Sequence, residues 1–104
     1  MKFLLFSMFD AAKATDVSQA SDKVWASPPP GIKALADYVC LAIPFPGGLP
    51  PNTVASVMVV EAESAEAMVG VAYPFLLAGA TVWYVPVMEL PVAAAAEAER
   101  KARG

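Results

Sequence analysis

The nine residues TVASVMVVE, Thr53–Glu61, decide the fold class of this chain. They are rich in β-branched side chains, which is typical of a β-strand. Successive side chains of a strand point to opposite faces of the sheet, so the even positions 54, 56, 58 and 60 share one face and the odd positions 55, 57, 59 and 61 the other. Both sets are largely apolar. A sheet that contains this strand therefore has to be covered on both faces.

The residues before this strand predict one strand, one helix and a second strand. Residues 2–8 form a short apolar run that is typical of a buried strand. Residues 11–27 carry apolar side chains at three- and four-residue spacing, which predicts an amphipathic helix. Three consecutive prolines end that helix. Residues 32–43 then predict a second strand, and a proline-rich connection at residues 44–52 leads into Thr53–Glu61.

The residues after Thr53–Glu61 predict a helix, a strand and a second helix. Ser64 is a suitable N-cap for the first helix. Pro74 should kink or break this helix, because proline has no N–H for the carbonyl of Gly70. Residues 81–90 predict the fourth strand, and the alanine-rich segment Val92–Arg103 predicts a C-terminal helix.

This order of elements predicts an α+β fold of ferredoxin-like type, with a four-stranded antiparallel sheet in βαββαβ order. We expect one domain at residues 1–91 and a helical extension at residues 92–104, since a chain of 104 residues has room for one core. Hydrophobic residues make up 58% of the chain and charged residues 16%. One small core cannot bury that surplus, so we expect the open face of the sheet to pack against a second copy, as a homodimer or higher oligomer.

Charge and residue types argue against several functions. The net charge is −3, and neither Lys nor Arg occurs at positions 34 to 99, which disfavours nucleic acid as a partner. The chain has no histidine, the usual general base and the commonest metal ligand, so we expect neither a metal nor a cofactor. Its single cysteine, Cys40, cannot form an internal disulfide, and we expect a cytoplasmic location.

Residues 67–88 are uncharged over a length that would span a bilayer. Glycines and prolines interrupt this segment, and from residue 81 its composition changes to the β-branched and aromatic mixture of a strand. We therefore interpret it as a helix followed by a strand, and expect no membrane partner.

Three stretches resemble a family of short proteins in the dimeric α+β barrel superfamily: MKFL at residues 1–4, VVEAESAE at residues 59–66 and VPVME at residues 85–89. The resemblance covers residues 1 to about 90. It implies a homodimer in which two sheets pack face to face, with a pocket between sheet and helices. That superfamily includes antibiotic-biosynthesis-type monooxygenases and muconolactone-isomerase-like enzymes. Members that use acid–base chemistry often rely on a histidine. This chain has none, so the resemblance supplies no catalytic residue.

Asp37 and Tyr38 are the candidate catalytic residues. Asp37 is the only charged residue at positions 34 to 60, and in a desolvated pocket its pKa would rise so that it could act as a base. Its alternative role is an outward-facing charge that keeps an edge strand from aggregating. Tyr38 could orient a carbonyl or phenol, but tyrosine is equally expected at a dimer interface.

Five further residues are candidate ligand contacts: Ser7, Ser56, Met58, Trp83 and Tyr84. The serines should lie on the two central strands, while methionine and aromatic side chains are typical of adaptable apolar sites and also of cores. We expect a homodimer that binds a small hydrophobic or aromatic metabolite, or a cofactor-free enzyme of isomerase, cyclase or oxygenase type. The alternative is a non-catalytic accessory subunit that docks a larger protein through its apolar face.

Overall fold

A computed structural model describes residues 1–40 and 52–104 of the chain. In chain order the strands and α-helices are β1 (Lys2–Asp10), α1 (Ala14–Ala26), β2 (Lys33–Val39), β3 (Thr53–Glu61), α2 (Val69–Leu77), β4 (Thr81–Val87) and α3 (Val92–Arg103). Short 3₁₀ turns, Ala11–Lys13 and Glu66–Met68, lead into α1 and α2. The predicted end of the second strand and most of the proline-rich connection lie outside the described residues.

The four strands form one antiparallel sheet in the order β2-β3-β1-β4. The predicted α+β class is confirmed, and the order of strands fits a ferredoxin-like arrangement. Strands β1 and β3 lie at the centre of this sheet, with β2 and β4 at its edges. The central pair aligns Phe3 with Val60 and Ser7 with Ser56.

The core lies between one face of the sheet and helices α1 and α2. From the sheet, Phe3, Leu5 and Val60 are completely or almost completely buried. From the helical side, Val17 and Val24 of α1 and a larger group at α2 are buried against them: Met68, Val71, Ala72 and Phe75. Because side chains alternate along a strand, this packing assigns every strand position either to the face that meets the helices or to the face turned away from them.

The predicted cap at Ser64 lies one turn before helix α2, and the helix does not break at Pro74. The Ala67 N–H donates to Ser64 Oγ at 3.2 Å, so the Ser64 hydroxyl binds the 3₁₀ turn that leads into α2, whereas Met68, at the start of α2 itself, makes no side-chain capping bond. At the other end the chain turns at Gly79, whose φ of 104° favours glycine. The helix runs unbroken through Pro74. Proline removes a single helical hydrogen bond here, and the burial of Val71 and Phe75 on either side outweighs that loss.

Several element ends differ from the predicted ones. Strand β1 continues to Asp10, whose carboxylate accepts from the Ala12 N–H at 2.8 Å and so begins the 3₁₀ turn. Strand β4 stops at Val87 rather than at residue 90. In the described part of the chain, no helix is long and apolar enough to cross a membrane. The uncharged residues 67–88 belong mainly to α2 and β4.

Both edge strands carry a local irregularity. In β2 the pairing with β3 shifts between Ala34 and Ala36, as in a β-bulge. In β4 Pro86 lies opposite Phe3 and has no N–H to donate. Such features oppose the addition of a further strand at an edge.

Candidate functional site

The two candidate catalytic residues lie on opposite faces of the sheet. Asp37 is paired with Met58, whose side chain is buried under the helices, whereas the adjacent Tyr38 is paired with Val57. Since neighbouring strand residues point in opposite directions, Asp37 lies on the face that meets the helices and Tyr38 on the other. Within one chain they therefore do not form a common site.

The helix-covered face brings together most of the candidate ligand contacts. Asp37, Met58, Leu5 and Tyr84 form one row across the four strands, and Ser56 and Ser7 are paired in the next row. The Tyr84 ring packs edge to face against Phe3, with ring centroids 6.0 Å apart. Met58 is buried in the core. Polar groups thus lie in neighbouring rows of an otherwise apolar layer.

Ser7 is the most unusual of these polar residues. It is only 4% exposed, and its Oγ has no hydrogen-bond partner among the described residues. A buried hydroxyl without a partner destabilises the folded state by about 1–3 kcal/mol.

We expect Ser7→Ala to stabilise the ligand-free protein by about 1 kcal/mol, because alanine removes the unsatisfied hydroxyl and nearly keeps the side-chain volume. The free energy of unfolding from urea titration measures the effect. Ser56→Ala, at the half-buried partner position, is the control and should change stability by less than about 0.5 kcal/mol. A loss of stability in Ser7→Ala would show that the hydroxyl is bonded in solution.

Asp37 combines an exposed position with a perturbed carboxyl group. It lies in edge strand β2, and the desolvation that it does experience raises its pKa from the usual 3.8. A raised pKa is the shift that a carboxylate needs in order to act as a general base. The edge position is equally that of a charge that opposes strand addition.

The raised pKa of Asp37 makes a small pH-dependent contribution to stability. The folded state binds this proton more tightly than the unfolded state does, so stability falls as pH rises from the unfolded pKa through the folded one. We expect Asp37→Asn to stabilise the protein at pH 7 by less than about 1 kcal/mol, given the exposure of the group, and this gain should vanish near pH 3. Urea titrations of both proteins at the two pH values test this. A gain that grows towards low pH would contradict it.

The second candidate region is the open sheet face, defined as the face turned away from α1 and α2. One row across it consists of Tyr38, Val57, Phe6 and Trp83, and the next of Ala36, Val59, Leu4 and Val85. The Phe6 and Trp83 rings stack with centroids 5.1 Å apart and planes 10° apart. Tyr38, Val85 and Val87 are exposed. This face is therefore apolar and aromatic at its centre.

Charged residues border one end of the open sheet face. Glu61 of β3 is paired with Lys33 on one side and with Lys2 on the other. Lys2 also forms an ion pair with Glu89, beyond the end of β4. Apolar centre and charged border together have the composition of a protein–protein interface.

The sequence analysis did not identify Phe6 as a neighbour of Trp83 and Tyr38 on the open sheet face. Strand alternation places Phe6 on a face, but its neighbours depend on the long-range register of β1 with β3 and β4. The indole Nε1 of Trp25 was missed as well; it is buried and has no partner in the described part of the chain. Residues 1–40 and 52–104 contain no group of three or more acidic, cysteine or histidine side chains that could hold a metal ion.

Compared with models of known protein families and with curated proteins, the chain matches none. The resemblance to dimeric α+β barrel proteins therefore stays a prediction. The function has to be argued from the two faces of the sheet.

Proposed function

We propose that this protein is a homodimer in which the open sheet faces of two copies pack together and enclose a small apolar or aromatic molecule. The observation that supports this most directly is the exposure of Tyr38, Val85 and Val87 on a face whose centre is apolar. An exposed apolar patch of this extent is typical of an interaction site.

The size of the face is compatible with a stable dimer. Four strands spaced about 4.8 Å apart, with about seven residues each, give a flat face of roughly 19 by 23 Å. This is more than half of the ~800 Å² that each partner buries in an interface of standard size. The exposed side chains of Met88 and Leu90, which directly follow β4, add apolar area.

A dimer of this kind has an interior suited to a flat guest. Two four-stranded sheets supply eight strands, and an eight-stranded enclosure has room for side chains or for one small ligand. The stacked Phe6 and Trp83 rings offer an aromatic surface, and the phenol of Tyr38 in the same row offers a polar contact. Binding and orientation are therefore the activities that this face supports best. A cofactor-free isomerisation, cyclisation or oxygenation would use the same phenol to orient its substrate.

Helix α2 favours a second candidate function, that of an accessory subunit docked on a larger protein. The sequence of α2, VGVAYPFLL, is apolar around its whole circumference, which is typical of a helix buried on all sides. Yet its outer side chains Val69, Tyr73, Leu76 and Leu77 are exposed. In this alternative the apolar surfaces are covered by another protein, and the isolated chain is a monomer.

The mass of the protein in solution distinguishes the two functions. Under the first proposal, light scattering at micromolar concentration gives twice the mass of one chain, and native mass spectrometry shows a small molecule retained by the dimer. A folded monomer without a bound molecule would overturn the first proposal and favour the accessory subunit.

A further inference from the structure

Helices α1 and α2 form an open cleft of about 510 Å³, and no described strand residue of either sheet face lines it. Its α1 wall is one stripe of the helix, at positions 16, 19, 20, 23 and 24, continued by Ser27 directly after the helix, and its α2 wall consists of Gly70, Pro74 and Leu77. Pro29 closes one end, where a Cβ placed on Gly70 would contact its Cγ at 3.4 Å. A volume of this size is typical of small-molecule sites.

The middle of the cleft is apolar. Its apolar lining includes Ala20 and Val24 of α1 and Pro74 and Leu77 of α2. The apolar side chain of Leu77, at the end of this apolar helix, is 71% exposed. A flat apolar body that lay between the two helices would cover Leu77 and gain the free energy of removing that surface from water.

Polar groups border this apolar middle, since the lining also includes Asp16, Gln19, Lys23 and Ser27. The Gly70 carbonyl lacks its usual helical donor, because residue 74 is a proline, and both residues line the cleft. The Lys23 ammonium on the opposite wall takes part in none of the ion pairs of the described residues. Asp16 lies two turns away on α1, about 10 Å along the helix axis, so negative charge is separated from positive charge along the wall.

We infer that this cleft binds a small aromatic anion that also carries an N–H or O–H group. The aromatic body lies between Val24 and Leu77, the anionic group pairs with Lys23, and the N–H or O–H donates to the Gly70 carbonyl. This inference is independent of the proposed dimer, because the cleft is built from helix residues of one chain.

Two dyes that differ by one group serve as probes. 1-Anilinonaphthalene-8-sulfonate has an aromatic body, an N–H and a sulfonate, and N-phenyl-1-naphthylamine has the same skeleton without the sulfonate. Fluorescence titration of the full chain should show binding of both dyes, with the sulfonate bound more tightly. Lys23→Gln should weaken the sulfonate about two- to fivefold, as expected for a partly exposed ion pair, and leave the neutral dye within a factor of two. Lys13→Gln, in the 3₁₀ turn that leads into α1 and outside the cleft, is the matched control and should change neither affinity.

Variants that alter the cleft itself test its location. Ala20→Leu fills the cleft and should weaken both dyes at least ~10-fold. Leu77→Gln removes apolar surface at an exposed position, so it should weaken both dyes without affecting the fold, as circular dichroism would verify. Failure of the native protein to bind either dye, an unchanged affinity in both cleft variants, or an equal loss for both dyes in Lys23→Gln would overturn the inference.

Discussion

Tyr38→Lys should convert the proposed dimer into a monomer, whereas Val39→Lys should leave that dimer intact. The two residues are neighbours in β2 and almost equally exposed, at 61% and 62%, but they lie on opposite faces of the sheet. In the proposed dimer, Tyr38→Lys places an ammonium group from each copy into an apolar interface without a partner. The loss of the aromatic contact, together with the unpaired charge, should raise the dissociation constant by at least ~30-fold.

Sedimentation velocity over a range of protein concentrations measures this change directly. Val39→Lys introduces the same charge into the same strand, at a position of nearly equal exposure. It therefore controls for effects on strand β2 itself. Equal dissociation in both variants would point to damage of the edge strand, and unchanged association in Tyr38→Lys would exclude the open sheet face as the interface.

Phe3→Ala should lower the free energy of unfolding by about 3–5 kcal/mol, a large part of the stability of a small domain. Phe3 is completely buried on central strand β1, beneath the helices, and packs edge to face against Tyr84. Its removal loses both the burial of the ring and the contacts of the side chains around the cavity that remains.

Urea unfolding followed by circular dichroism tests the Phe3 prediction. Tyr73→Ala, which shortens an exposed aromatic side chain of α2, should change stability by no more than about 0.5 kcal/mol. Comparable losses in the two variants would contradict the position of the core between β1 and the helices.

The architecture could be predicted because its signals are local. Strand β3 coincides with the predicted Thr53–Glu61, and α3 with Val92–Arg103, since alternation and alanine content do not depend on the rest of the chain. A kink or break was predicted at Pro74; the helix does not break there, because tertiary burial of α2 outweighs one missing hydrogen bond. The bulge in β2 depends on its pairing with β3, which local sequence does not specify.

The sequence alone predicted less well which candidate site residues lie close together. Strand alternation alone separates Asp37 from Tyr38, so that result could have been foreseen. The stacking of Phe6 on Trp83 requires the register between β1 and β4, which is set by contacts far apart in the chain. The α1–α2 cleft likewise depends on how two helices lie across the sheet.

The irregular edges of the sheet affect how the protein associates at high concentration. Strand-by-strand growth has no natural end, because every added copy presents a fresh edge, and it is the route by which β-rich chains nucleate fibres. Pro86 at one edge and the bulge between Ala34 and Ala36 at the other both oppose that route. Contact between faces, in contrast, is saturated once two copies have met. In the proposed dimer the apolar face is covered by pairing, so we expect a chain this rich in apolar residues to reach high concentration without forming fibres.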